Sequence, residues 1–130
     1  MLEVENLVCT FGAKRAVDGV SLALRPGEAL GLVGESGSGK TTVLRALLRL
    51  VPAASGRILL ERTDITHASG RALRPLRRSV QVVFQNPHAS LDPRATVFAS
   101  VAEPLRLMGG LPGRALRERV ASLLRDVGLG

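Results

Sequence analysis

Eight consecutive residues constrain this chain more than any other stretch: Gly34-Glu35-Ser36-Gly37-Ser38-Gly39-Lys40-Thr41. They fit the pattern G-x-x-x-x-G-K-[S/T] without a mismatch, and average residue frequencies produce such a match in about one chain in a few hundred. The flanks strengthen the reading. Ala29-Leu30-Gly31-Leu32-Val33 is a short continuous apolar run, the pattern of a strand buried on both faces. Thr41 to Leu50 carries Val43, Leu44, Leu47 and Leu48 on one helical stripe, and Pro52 stops it. A buried strand, a glycine-rich turn and a helix form a unit built to hold an anion. Gly34, Gly37 and Gly39 permit backbone conformations that are costly for other residues. The turned backbone points N–H groups inward, and the helix adds the positive end of its dipole. Lys40 can reach β- and γ-phosphates as a point charge, and the Thr41 hydroxyl suits Mg²⁺, which takes oxygen ligands. The expected ligand is ATP with Mg²⁺.

The remainder of the chain reads as an α/β domain. Leu2, Val4, Leu7 and Val8 predict a strand ending near Thr10-Phe11-Gly12, and Val20 to Leu24 a second one. Arg25-Pro26-Gly27-Glu28 is a turn signal. Gly56 to Glu61 and Val80 to Phe84 predict further strands, the second one buried, and Asp64 is expected in a surface turn. After Gln85 the character changes, and Asn86 to Pro93 reads as loop. Thr96 could cap a helix through Val97, Val101 and Leu105, with a kink or break at Glu103-Pro104. Met108 to Gly113 reads as a linker. Leu116, Val120, Leu123, Leu124 and Val127 then mark a final helix with Gly128 as its C-terminal cap.

Composition excludes several classes. Hydrophobic residues make up 45% of the 130, enough for a core and too many for disorder. No apolar run approaches the roughly 18 residues of a membrane-spanning helix. The start, Met1-Leu2-Glu3-Val4-Glu5, is acidic and unlike a signal peptide. One cysteine, Cys9, allows no internal disulfide, which favours a reducing compartment. The net charge of +7 comes mostly from arginine, Lys14 and Lys40 being the lysines. Nucleic acid is not the expected partner. The arginines are dispersed, no aromatics interleave with them, and Pro75 interrupts the densest stretch, Arg71 to Arg78.

A second group of residues carries a family resemblance. Ala16-Val17-Asp18-Gly19-Val20-Ser21, Gly27-Glu28, Leu32 to Thr42, and Val82-Val83-Phe84-Gln85-Asn86-Pro87-His88-Ala89-Ser90-Leu91-Asp92-Pro93-Arg94 make the chain resemble the N-terminal half of an ABC transporter's ATP-binding subunit. Among these it is most similar to the ATPases of oligopeptide, dipeptide and nickel importers. The last stretch discriminates best, because many NTPases share a P-loop.

The resemblance implies a P-loop NTPase fold. Residues 1–94 would form the N-terminal part of the ATPase core, with an antiparallel β subdomain, and residues 95–130 the beginning of a helical subdomain. It implies nucleotide contacts from Gly34, Glu35, Ser36, Gly37, Ser38, Gly39, Lys40, Thr41 and Thr42, and stacking of Phe11 on adenine, where a tyrosine is more usual. It makes Gln85 the Q-loop glutamine, which contacts Mg²⁺ and the attacking water, so that Thr41 and Gln85 form the metal set. It implies membrane-spanning permease subunits facing Ser90 to Arg94, a second ATP-binding subunit in a homo- or heterodimer, and a cytoplasmic position on the inner face of the membrane.

The hydrolytic remainder of the family pattern lies outside these residues. Leu107-Met108-Gly109-Gly110-Leu111 is a poor match to the signature loop Leu-Ser-Gly-Gly-Gln, and Ile58-Leu59-Leu60-Glu61 lacks the Asp-Glu pair of a Walker B strand. Neither His67 nor His88 occupies the place of the switch histidine. The expectation is therefore ATP binding with negligible hydrolysis by these residues alone, and a marginal, aggregation-prone monomer. Two alternatives remain. One is a non-catalytic nucleotide-binding or docking module. The other is a fragment of a different P-loop NTPase, although a GTPase would need Asn-Lys-x-Asp, which this sequence does not contain.

Overall fold

The computed structural model describes residues 1–86 and 91–129. The expectations for Pro87, His88, Ala89 and Ser90 fall outside the described residues. The chain divides into two compact units, Met1–Val80 and Gln81–Gly130.

The first unit is built on a four-stranded antiparallel sheet. Its strands are β1 (Leu2–Phe11), β2 (Lys14–Leu24), β3 (Ser55–Leu60) and the two-residue β4 (Thr63–Asp64), in the order β2-β1-β3-β4. Helix α1 (Lys40–Leu47) packs on it through Val43, Ala46 and Leu47. A 3-10 turn over Gly70–Leu73 leads into the short helix α2 (Arg74–Ser79). Leu73 and Leu76 fasten this segment to the core, while Arg71, Arg74, Arg77 and Arg78 are exposed. Pro75 stands in the first turn of α2, where its missing N–H breaks no helical bond.

The irregular apolar spacing of β1 has a structural cause. Val4 faces the core, and so do Leu7 and Cys9, so the alternation slips by one residue between them. The register with both neighbouring strands shifts there, and Asn6 sits at φ 48. This is a β-bulge. The Asn6 N–H donates to Ser21 Oγ at 2.8 Å. Gly56 in β3 lies against the bulge at φ 91, and a Cβ there would come within 2.4 Å of the Asn6 carbonyl oxygen. No other residue type fits that place without moving the backbone.

Beyond β3, the Ile58 N–H donates to the buried Thr66 Oγ1, and the Thr66 N–H donates to Asp64 Oδ1, both at 2.8 Å. Arg57 lies between Glu5, at 3.7 Å, and Asp64, at 3.4 Å. Hydrogen bonds from Thr66, aided by Arg57, hold the Asp64 carboxyl below its ordinary value. Asp64 is exposed, as expected, but it belongs to β4 rather than to a turn.

Two expected strands are absent. Ala29–Val33 and Val80–Phe84 have no strand hydrogen bonding, and Val33 and Val83 are each 96% exposed. A strand interior to a sheet is stabilised by hydrogen-bonded neighbours on both edges and by cover on both faces. Among the described residues neither run has a strand beside it. Val33 therefore leaves apolar surface beside the P-loop where a buried strand was expected. The helix predicted to reach Leu50 also ends early, at Leu47. Arg49 turns the chain at φ 57, and the Leu50 N–H closes the helix onto the Arg45 carbonyl at 2.8 Å.

The second unit is a helix pair. Thr96 caps α3 (Val97–Gly109), its Oγ1 accepting from the Ala99 N–H at 3.1 Å. Pro104 does not break this helix, which continues to Gly109. The expected linker is thus only Gly110 to Pro112, between α3 and α4 (Gly113–Asp126). The helices meet through Ala102, Leu116 and Val120, with Phe98, Val101, Leu105 and Leu124 around them. Gly128 closes α4 as predicted: its N–H donates to the Arg125 carbonyl at 2.9 Å and the Leu129 N–H to that of Leu124 at 2.8 Å.

Candidate functional site

The glycine-rich segment leads directly into α1, with Gly39 as the N-cap residue at φ 93. No side chain caps this terminus, and its first turn holds no acidic residue. The opening N–H groups of a helix have no intrahelical acceptor, so here they are open to water or to an external anion. A Cβ on Gly39 would lie 2.4 Å from the Ala16 carbonyl oxygen. The pairing explains this closeness. Cys9 pairs with Val17 and Thr10 with Arg15, which leaves Ala16 as an extra residue in β2. Its carbonyl stands against the loop, and only glycine can occupy the facing position.

Lys40 bends back across the segment that precedes it. Its ammonium donates to the Gly34 carbonyl at 2.7 Å, the Glu35 carbonyl at 2.6 Å and Ser38 Oγ at 3.3 Å. The loop is pinned further by the Ser38 N–H donating to the Glu35 carbonyl at 3.2 Å. These are charge-assisted contacts to neutral acceptors, and phosphate oxygens are stronger acceptors for the same ammonium.

A cavity of 240 Å³ opens beside the helix terminus. It is lined by Gly37, Ser38, Gly39, Lys40, Thr41 and Thr42 on one side, and by Phe11, Lys14 and Ala16 on the other. It thus joins Phe11 to the P-loop, two features 23 residues apart in sequence at their nearest (Phe11 and Gly34). Gly34, Glu35 and Ser36 lie in the loop outside this lining. Lys14 and Ala16 were not singled out as site residues by the sequence. The sequence carried a signal for neither: Lys14 reaches the cavity by pairing with Phe11 across a two-residue turn, and Ala16 as an extra residue in β2, and both are features of the sheet.

Gln85 lies in the exposed, irregular segment that opens the second unit. Among the described residues no three His, Cys, Asp or Glu side chains gather as a metal cluster. Cys9 is buried in the core rather than in the cavity, and burial pushes its thiol above the ordinary value despite the nearby Arg49.

The glutathione import ATP-binding protein GsiA of Escherichia coli K12 is 49% identical over 140 residues, which take in 99% of this chain and 22% of that protein. The dimeric structure of MJ0796, a bacterial ABC transporter cassette, superposes with a TM-score of 0.78 at 26% identity, covering 96% of this chain and 56% of the cassette. The same cassette in a post-hydrolysis state bound to ADP and Pi gives a TM-score of 0.76 at 25% identity, with the same coverage. The chain therefore spans about a fifth of GsiA and little more than half of a solved cassette. A family model described as ABC transporter matches residues 17–130, and on that match and these relatives the chain belongs to the ABC transporter family.

Proposed function

We propose that this chain is the nucleotide-gripping part of an ABC importer's ATP-binding subunit, and that it takes Mg–ATP in the cavity between α1 and the β1–β2 hairpin. The convergence of Phe11, Lys40 and Thr41 on one acid-free cavity at an uncapped helix terminus supports this most. The loop N–H groups from Gly37 to Thr42 would receive the phosphates. Lys40 would exchange its carbonyl acceptors for β- and γ-phosphate oxygens, Thr41 would offer its hydroxyl to Mg²⁺, and Phe11 its face to the base. Gln85 is the residue we assign to orienting water and metal. Mg²⁺, when bound, neutralises charge on the phosphates.

Hydrolysis needs a positioned nucleophile as well as charge stabilisation. These 130 residues contribute only Gln85 to that task, so we infer binding with very slow turnover by the chain alone. GsiA is by name a glutathione importer's ATP-binding protein, and MJ0796 forms a dimer. By analogy, we assign the chain to import of peptides or similar small solutes, with permease subunits and a second cassette as partners, at the inner face of the cell membrane. No helix among the described residues is long and apolar enough to cross a membrane itself.

Calorimetric titration with Mg–ATP tests the reading. Lys40→Ala is expected to weaken binding by about a hundredfold, since charge-assisted hydrogen bonds to phosphate contribute roughly 1.5–3 kcal/mol each. Unchanged affinity in that variant would overturn it.

A further inference from the structure

The chain holds 16 arginines and two lysines, 18 basic residues in all, and both lysines line the same cavity. Lys40 belongs to the P-loop motif, whereas Lys14 belongs to no motif. It opens β2 and pairs with Phe11 across the hairpin end, so both side chains stand on one face of the sheet. Among the described residues its ammonium makes no ion pair or hydrogen bond, while the adjacent Arg15 is held by Asp18 at 2.9 Å. The cavity lining contains no carboxylate. Two lysines thus line one space beside an uncapped helix terminus, with no carboxylate among the lining residues to neutralise them.

The geometry points to Lys14 as a second nucleotide-contacting cation, bonding the ribose and α-phosphate end while Lys40 holds the β- and γ-phosphates. This rests on the reading of the cavity as a nucleotide site. A nucleotide whose terminal phosphates lie at the loop meets Phe11 and Lys14 among the other residues that line the cavity. With its ring on the base, Phe11 brings the neighbouring ammonium beside the sugar. The compact charge of Lys14 can follow a phosphate or a sugar hydroxyl, and at this exposed position a guanidinium carries the same charge and can donate to the same oxygens.

The scarcity of lysine makes a direct test possible. Periodate-oxidised ATP carries aldehydes at its 2′ and 3′ carbons. A lysine amine beside the ribose adds to one of them and loses water to give an imine, and borohydride reduces the C=N bond to a stable secondary amine. With the full chain, peptide mass spectrometry should place this label on Lys14, and excess Mg–ATP should suppress it about tenfold. Lys14→Arg should abolish the label and retain ATP affinity within about twofold. In titrations, Lys14→Ala should weaken ATP about fivefold and Lys14→Glu about thirtyfold, both effects shrinking at about 0.5 M salt. Lys14 is exposed, so the variants should keep the wild-type circular dichroism. If Lys40→Ala abolishes binding while Lys14→Glu leaves it intact and Lys14 stays unlabelled, this inference falls and the nucleotide site stands. If the wild-type chain does not bind ATP, both fall.

Discussion

Two kinds of apolar segment coexist in this molecule. The strands β1 to β3 are irregular in sequence, carry several charges and are interrupted by bulges, yet they form a continuous antiparallel sheet. Ala29–Val33 and Val80–Phe84 are the purer apolar runs, and neither is in a sheet. The difference is the source of hydrogen-bonding partners. β1 finds β2 across a two-residue turn, and β3 returns after α1 to pair on the other edge. The two runs have no such neighbour among the described residues. Apolar character supplies a reason to be buried, but a strand forms only where a second backbone accepts its donors.

The comparison can be broken most forcefully in the core. Ile58→Ala or Leu7→Ala removes a side chain with no exposed surface and should cost about 2–5 kcal/mol in urea unfolding. Val33→Ala and Val83→Ala should stay within about 0.5 kcal/mol of wild type. Equal losses at all four sites would mean that the runs are structured after all. Next in size is Gly56→Ala, where a positive φ and a backbone oxygen at 2.4 Å predict a loss of about 2 kcal/mol by the same assay. Light scattering addresses the other side. Replacing Val33 and Val83 together by lysine should reduce self-association of the chain, because exposed apolar runs recruit one another. Unchanged scattering would place the adhesive surface elsewhere.

The smallest effect concerns pH at the β3–β4 end. Asp64 titrates below its ordinary value in the folded state because its charged form accepts hydrogen bonds from Thr66. Its stabilising contribution is therefore present above the ordinary carboxylate value and is lost as pH falls through the lower, folded-state value. Asp64→Asn should flatten the acid limb of the stability–pH curve in that window and leave the neutral region nearly unchanged.

What could be read from the residues follows the same division. The P-loop was legible because its glycines, lysine and threonine act over eight contiguous positions. Helix α4 was legible because Leu116, Val120 and Leu124 repeat at helical spacing and Gly128 closes it. The first half of β2 was not. Lys14, Arg15, Asp18 and Gly19 look unlike a strand, and an edge strand with one solvent-facing margin tolerates them. Pro104 suggested a break that the flanking helical residues override. Phe11 was placed by resemblance, and its meeting with the P-loop depends on pairing that periodicity cannot reveal.

The bulge at Asn6 bears on the site five residues away. Side chains along a strand alternate sides, so one surplus residue inverts the side taken by everything after it unless a bulge absorbs it. Leu7, Cys9 and Phe11 share a parity, and that parity reaches the helix-bearing side of the sheet only because Asn6 interrupts the count. Straightening the bulge with Asn6 still in the chain would turn the aromatic ring over to the opposite side of the sheet, whereas excising Asn6 would restore plain alternation from Val4 and leave the ring where it is. A change that straightens the strand at Asn6 would in this way remove the aromatic wall of the cavity without altering a residue that lines it.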